Sequence, residues 1–160
     1  MNNKQRIIVG IDGSEYSPAA LQLAGRIANA LNAPIEVMTC LGWSDFYLPS
    51  HLPSGNLQAT AQLEAVARRS MEEAIERAYG QDRPHNLTAS VKAGSPAKVL
   101  VEESRDAQLL VVGRRGRGGL LGQVMGSVSA ACTAHAHCPV LVVAQDSEGQ
   151  QKRETLDSRI

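Results

Sequence analysis

Cysteine is scarce in this chain, charge of one sign is not in excess, and long hydrophobic runs are missing. Three cysteines among 160 residues are too few, and too odd in number, for a disulfide framework, so a reducing cytoplasm is predicted. Lys plus Arg and Asp plus Glu each number 16, which predicts no nucleic-acid partner and no membrane partner. The apolar runs fall far short of the roughly 20 residues that span a bilayer. The polar start shows no leader segment, so a soluble protein is expected.

Hydrophobic residues make up 43% of the chain, which is enough for one buried core, and their spacing alternates between strand and helix patterns. Apolar or alternating runs predict five strands, at 6–11, 35–41, 86–92, 107–113 and 139–144. Helical spacing, with Ser-Pro at two of the starts, predicts four helices, at 17–32, 57–79, 96–105 and 127–135. Residues 1–145 are interpreted as a single domain and residues 146–160 as a polar, disordered tail.

Strands that alternate with helices predict an α/β fold. The expected form is a doubly wound five-stranded parallel sheet with four helices, a Rossmann-like sandwich. Ligands of such folds bind at the carboxyl ends of the strands, where the strand order reverses. The predicted binding loops are therefore those that begin at Asp12, Gly42, Ala93 and Gly113.

The loop after the fourth strand is glycine-rich and reads GRRGRGGLLGQVMGS from residue 113 to residue 127. Glycines let backbone amides approach a phosphate chain, and Ser127 begins a helix whose N-terminus favours anions. A flexible surface loop is the alternative, but three arginines between a buried strand and a helix favour phosphate binding. The spacing fits neither a P-loop, which needs a Lys after its last glycine, nor a dinucleotide fingerprint, which follows the first strand.

Gly113, Gly116, Gly126 and Ser127 follow the spacing G-2x-G-9x-G-S, which resembles the ATP-binding signature of the universal stress protein family. Other segments resemble the same family in the same order, namely VGIDGSEYS, VKAGSPAKVLVE and GSVSAACTAHAHCPVLVV. The resemblance extends over residues 7–143. It implies an adenine nucleotide alpha hydrolase-like fold and an ATP-binding stress-response regulator that hydrolyses ATP slowly at most.

The resemblance also implies a set of nucleotide contacts. Asp12 would lie near the ribose and phosphates, Cys40 would border the adenine in place of the family's usual valine, and Gly94 would line the base or ribose. Gly116, Gly126 and Ser127 would hold phosphates, with Gly113 shaping the turn and Val128 and Ser129 close by. The expected ligand is ATP with Mg²⁺.

Some of these residues have a second interpretation. Asp12 either contacts the ligand, directly or through Mg²⁺, or caps a turn with its own backbone. Arg114, Arg115 and Arg117 either bind phosphates or lie in solvent. The sequence is compatible with both interpretations of Asp12 and with both interpretations of the arginines.

Two clusters of distinctive residues stand outside this signature. Cys132, His135, His137 and Cys138 carry donors that suit zinc, but they lack the paired spacing of a zinc site, so ordinary packing is favoured. Three of the five aromatic residues are grouped in the loop after the second strand. They are Trp43, Phe46 and Tyr47. This aromatic group predicts a contact surface, a lid over the adenine or a hydrophobic plug, with no preference among the three.

Two alternative functions are a nucleotide-free dimeric interaction module and, with less support, an adenylating ATP pyrophosphatase-type enzyme. The enzyme would need a glycine- and serine-rich loop after the first strand, where this chain has an acidic one. No catalytic base is predicted, because His135 and His137 lie at the far end of the helix from Ser127. The last strand would be an exposed edge in a monomer, so a homodimer through Val140–Val143 is predicted.

Overall fold

A computed structural model describes residues 5–12, 17–42, 57–114 and 125–144. The strands are β1 (Arg6–Gly10), β2 (Ile35–Leu41), β3 (Leu87–Ala93), β4 (Ala107–Gly113) and β5 (Val140–Val143). The helices are α1 (Ser17–Leu31), α2 (Leu57–Tyr79), α3 (Pro96–Glu103) and α4 (Ser127–His135). The predicted α/β fold with five strands and four helices is confirmed. The predicted tail and the aromatic group lie outside the described residues.

All five strands run parallel in one sheet, in the order β3-β2-β1-β4-β5. The central strand, β1, pairs on one side with β2, where Ile7 lies opposite Ile35, and on the other side with β4, where Ile7 lies opposite Leu109. The chain builds β1, β2 and β3 in one direction and then returns through α3 to β4. The strand order therefore reverses between β1 and β4, as a doubly wound sheet requires.

The sheet separates two hydrophobic clusters. On one face, α1 and α2 cover side chains such as Ile7 and Val9. On the other face, α3 and α4 contribute Leu100 and Cys132, which pack against Ile8. Since consecutive side chains of a strand point to opposite faces, the fully buried run of β1 reflects helices on both faces.

Tyr79 joins the two helices that cover the first face. Its hydroxyl donates a hydrogen bond to the Leu21 carbonyl, and its ring lies over Gly25, where an added Cβ would meet Tyr79 Cε1 at 2.8 Å. Glycine at this position therefore lets α2 approach α1 closely. Burial raises the pKa of Tyr79 to about 12.

A partly buried ion-pair network attaches the end of α3 to the sheet. The Arg6 guanidinium lies between the carboxylates of Glu36 and Glu103, at 2.8 Å from Glu103 Oε2. Lys92 Nζ lies 3.6 Å from Glu103 Oε1, and Ser90 donates a hydrogen bond of 3.0 Å to Glu36. These contacts connect three strands with one helix, so they orient α3 across the second face.

The boundaries of five predicted elements differ by one or two residues from those observed. Helix α1 ends at Leu31, and β3 spans Leu87–Ala93. The first strand ends at Gly10, the last begins at Val140, and α3 ends at Glu103 before a 3-10 turn at Ser104–Asp106. The helix ends early because the buried Ser104 hydroxyl donates to the Val101 carbonyl (2.6 Å) and accepts the His137 amide (2.8 Å). Of the helices in the described part of the chain, none combines the length and apolarity needed to cross a membrane.

Candidate functional site

The candidate site lies at the carboxyl ends of β1 and β4. From β1 the chain continues to α1 on one face, whereas from β4 it continues to α4 on the opposite face. Connections that leave adjacent strands in opposite directions open a crevice between them, and open α/β sheets bind ligands in such crevices. Asp12 and Gly113, at which two of the predicted binding loops begin, border this crevice.

Asp12 is exposed, two residues beyond Gly10, which is level with Val112 of β4. The backbone amide and the backbone carbonyl of the preceding residue, Ile11, are both hydrogen-bonded to β2. Its amide donates to the Met38 carbonyl at 3.0 Å, and its carbonyl accepts the Thr39 hydroxyl at 3.1 Å. Asp12 is therefore held at the mouth of the crevice by β2. Sequence analysis missed Thr39, because a hydroxyl within an apolar strand gives no motif.

Cys40 and Val128 pack against the same hydrophobic cluster, on the face that α3 and α4 cover. Burial is the main reason why the pKa of the Cys40 thiol rises to about 11, and Cys132 adds a smaller contribution. Cys40 is thus a neutral, half-buried thiol, which suits the side of an adenine ring better than a nucleophile's role.

Gly94 connects the ends of β2 and β3. Its amide donates to the Leu41 carbonyl at 2.8 Å, and its φ is +132°, a conformation that side-chain-bearing residues rarely adopt. A Cβ at this position would lie 3.0 Å from Val99 Cγ2. Because Val99 packs against the cluster that also holds Cys40 and Val128, Gly94 lies at the same end of the same face.

The two ends of the glycine-rich loop are held together by hydrogen bonds, and we refer to Gly113, Arg114, Gly126 and Ser129 as the loop neck. The Gly126 amide donates to the Arg114 carbonyl at 2.7 Å, and the Ser129 hydroxyl donates to the Gly113 carbonyl. The Arg114 amide in turn donates to the Val143 carbonyl at 2.8 Å. The neck thus joins β4, α4 and β5. Gly116, Arg115 and Arg117 lie outside the described residues.

Ser127 and Val128 are the first two residues of α4, so their amides have no acceptor within the helix. Ser127 is exposed and Gly126 is half-buried. The partial positive charge of this helix end attracts anions, and the Arg114 carbonyl is hydrogen-bonded to the residue that precedes the helix. The geometry therefore suits a phosphate group, with Asp12 at the end of β1 across the crevice.

Cys132 and Cys138 belong to the hydrophobic cluster that α3 and α4 cover, whereas His135 and His137 are exposed. Cys132 is buried, Cys138 Sγ donates to the Pro139 carbonyl at 3.4 Å, and the backbone of His137 is bound by Ser104. The described residues contain no group of three or more His, Cys, Asp or Glu side chains placed to hold a metal ion.

Comparison with known proteins identifies the family. The model of the Universal stress protein family matches residues 4–144. This chain belongs to the universal stress protein family. A universal stress protein of Mycobacterium tuberculosis is 38% identical over 141 residues, which are 87% of this chain and 45% of the relative. The chain thus spans about half the length of the curated relatives it matches.

Solved structures of universal stress proteins share the fold of this one. The protein UspA from Lactobacillus plantarum matches 87% of this chain and 97% of its own, with a TM-score of 0.70 and 22% identity. A universal stress protein solved in complex with cAMP matches 88% of this chain and 97% of its own, with a TM-score of 0.57 and 26% identity. The predicted family is therefore confirmed, whereas the individual nucleotide contacts stay predictions.

Proposed function

We propose that this universal stress protein binds an adenine nucleotide, ATP with Mg²⁺, in the crevice between β1 and β4. The observation that carries the proposal is the juxtaposition of the α4 N-terminus and the loop neck with the end of β1. The relative solved with cAMP supports an adenine nucleotide as the ligand class. In this proposal the protein is a nucleotide-dependent regulator of a stress response.

The parts of the ligand divide among the described residues by chemistry. The amides of Ser127 and Val128 would bind phosphate oxygens, as helix N-termini do. Cys40 and Gly94 would border the base and ribose. Asp12 fits Mg²⁺, because a single exposed carboxylate, phosphate oxygens and water together supply the oxygen ligands that this ion prefers. The ion would neutralise phosphate charge when it is bound.

The described residues place no histidine near the proposed phosphate site that could act as a general base for fast ATP hydrolysis. A general base must reach the reacting water or hydroxyl within hydrogen-bond distance. His135 lies eight residues after Ser127 in α4, which is about 12 Å along the helix axis. His137 lies beyond the helix, so ATP hydrolysis would be slow at most.

The proposed assembly is a homodimer through β5, in the reducing cytoplasm. In the described sheet β5 pairs with β4 on one side alone, and Val140, Leu141 and Val142 are half-exposed. Pairing this edge with a second copy would satisfy its backbone groups. The three cysteines are free thiols, which supports a reducing compartment. A monomeric mass by light scattering at micromolar concentration would refute the dimer.

The nucleotide proposal is tested by identifying the nucleotide that denatured protein releases and by titrating ATP and Mg²⁺ into emptied protein by calorimetry. The test variant is Gly126→Val, because the backbone at Gly126 (φ −71°, ψ 160°) accepts any residue while a branched side chain would crowd a phosphate. Ala134→Val is the matched control, since it adds the same branched side chain at an exposed position about two turns later in the same helix.

We expect wild type and control to bind and Gly126→Val to lose at least about tenfold in affinity, equivalent to about 1.4 kcal/mol. A folded wild type that neither carries nor binds adenine nucleotides would reject the proposal and favour the dimeric interaction module.

A further inference from the structure

The loop neck contains a serine hydroxyl whose role differs from that of its neighbours. Ser129 is 3% exposed, and its hydroxyl donates to the Gly113 carbonyl, sixteen positions earlier in the chain. It therefore bonds the first turn of α4 directly to the last residue of β4. A hydroxyl that is both buried and engaged in this way has no donor to offer a ligand.

The same geometry also removes the Gly126 amide from the possible phosphate donors, because that amide donates to the Arg114 carbonyl. The amides of Ser127 and Val128 follow directly and have no acceptor within the helix. The residues at the start of α4 thus divide into two groups. Gly126 and Ser129 close the neck, whereas Ser127 and Val128 are available to an anion.

The geometry points to Ser129 as a positioning residue whose hydroxyl touches no ligand and holds the first turn of α4 against β4, so that the amides of Ser127 and Val128 face the phosphates. This inference rests on the proposed nucleotide function. It has a specific consequence, because loss of the hydroxyl should weaken the binding of phosphates and leave the binding of base and ribose unchanged.

Ser104→Ala is a matched control for Ser129→Ala. Ser104 is also a buried serine, and it anchors the other end of the α4 region by accepting the His137 amide at 2.8 Å. Both variants lose one buried hydroxyl, and Ser104→Ala, which removes two hydrogen bonds, should lose at least as much stability as Ser129→Ala. Only Ser129→Ala should change how the affinity for an adenine ligand depends on the number of phosphates that the ligand carries.

The experiment measures the affinities of adenosine, AMP and ATP with Mg²⁺ for wild type, Ser129→Ala and Ser104→Ala by calorimetry. For Ser129→Ala we expect the ATP affinity to fall about tenfold and the adenosine affinity to change by less than about twofold. For Ser104→Ala we expect all three affinities to stay within about twofold of wild type. Equal losses for adenosine and ATP, or no loss for ATP, would overturn the inference.

A second measurement tests the neck without any nucleotide. Trypsin cleaves after arginine, and Arg114, Arg115 and Arg117 follow β4 directly. If Ser129 closes the neck, Ser129→Ala should be cleaved at these arginines several times faster than Ser104→Ala, because cleavage follows the population of opened states. Equal cleavage rates would overturn the inference. A wild type that binds no nucleotide, with faster cleavage of Ser129→Ala, would instead reject the proposed function and retain the neck.

Discussion

Replacement of Gly94 by alanine should destabilise the protein through two separable effects. The first is backbone strain, because φ at Gly94 is +132° and such conformations cost other residues about 1–3 kcal/mol. The second is crowding, because the new Cβ would lie 3.0 Å from Val99 Cγ2. Alanine also lowers the conformational entropy of the unfolded chain, which offsets about 0.4–1 kcal/mol of this loss of stability. We expect a net loss of about 1–2 kcal/mol in the free energy of unfolding.

Two further variants separate these effects. Gly80→Ala is the matched control, because Gly80 also has a positive φ, of +53°, but a Cβ added there would meet no atom within 4 Å. It should stay within about 1 kcal/mol of wild type. Adding Val99→Ala to Gly94→Ala removes the crowding, so the double variant should be more stable than the sum of the two single changes predicts, by about 0.5–1 kcal/mol.

Urea denaturation followed by circular dichroism gives the free energy of unfolding for each variant. Calorimetry then measures the affinity for adenosine. Because Gly94 borders the predicted base pocket, Gly94→Ala should bind adenosine more weakly than wild type. If Gly94→Ala costs no more than Gly80→Ala, the argument from its backbone conformation is wrong. If the double variant shows simple additivity, the contact with Val99 carries no energy.

Two more predictions concern stability away from the site. Burial raises the pKa of Tyr79 from its ordinary value of 10.0 to about 12, so the stability from its neutral phenol should be complete below pH 10 and lost as the pH rises through 12. Tyr79→Phe should not show this alkaline loss of stability in unfolding curves. In a titration followed by phenolate absorbance, the variant should also lack the step near pH 12. If that step is unchanged in the variant, it does not come from Tyr79. Arg6→Met should cost about 2 kcal/mol in urea denaturation, because it leaves the carboxylates of Glu36 and Glu103 partly buried beside no guanidinium. Arg6→Met combined with Glu36→Gln should cost less than the sum of the two single changes, and strict additivity would argue against the pairing.

The order and approximate limits of the elements could be predicted from sequence because their signals are local. Strand β1 and strand β4 are short apolar runs, and a Ser-Pro pair stands at the start of two helices, where proline is favoured. The doubly wound arrangement followed from the alternation of strand and helix. The observed limits differ by one or two residues, where hydrogen bonds from other elements decide the end of a helix or strand.

The internal geometry of the site could not be predicted in the same way. The hydrogen bond of Ser129 with Gly113 and that of Thr39 with Ile11 connect residues far apart in the chain, and neither leaves a periodic pattern. The resemblance placed Gly126 and Ser129 among the residues near the phosphates. The structure shows the Gly126 amide and the Ser129 hydroxyl bonded within the protein. The motif thus does not by itself assign a role to each of its residues.

The position of β1 at the centre of the sheet affects the order in which this protein can fold. Its partner β4 lies about 100 positions later in the chain, so a ribosome must synthesise about 100 further residues before that pairing can form. Strand β1 can pair with β2 after far fewer residues have been synthesised. Pairing of β1 with β4 joins residues far apart in the chain, so it is expected to be the slower step. The crevice lies at the junction of β1 with β4. A ligand of this crevice would therefore recognise the completed sheet and stabilise it by mass action.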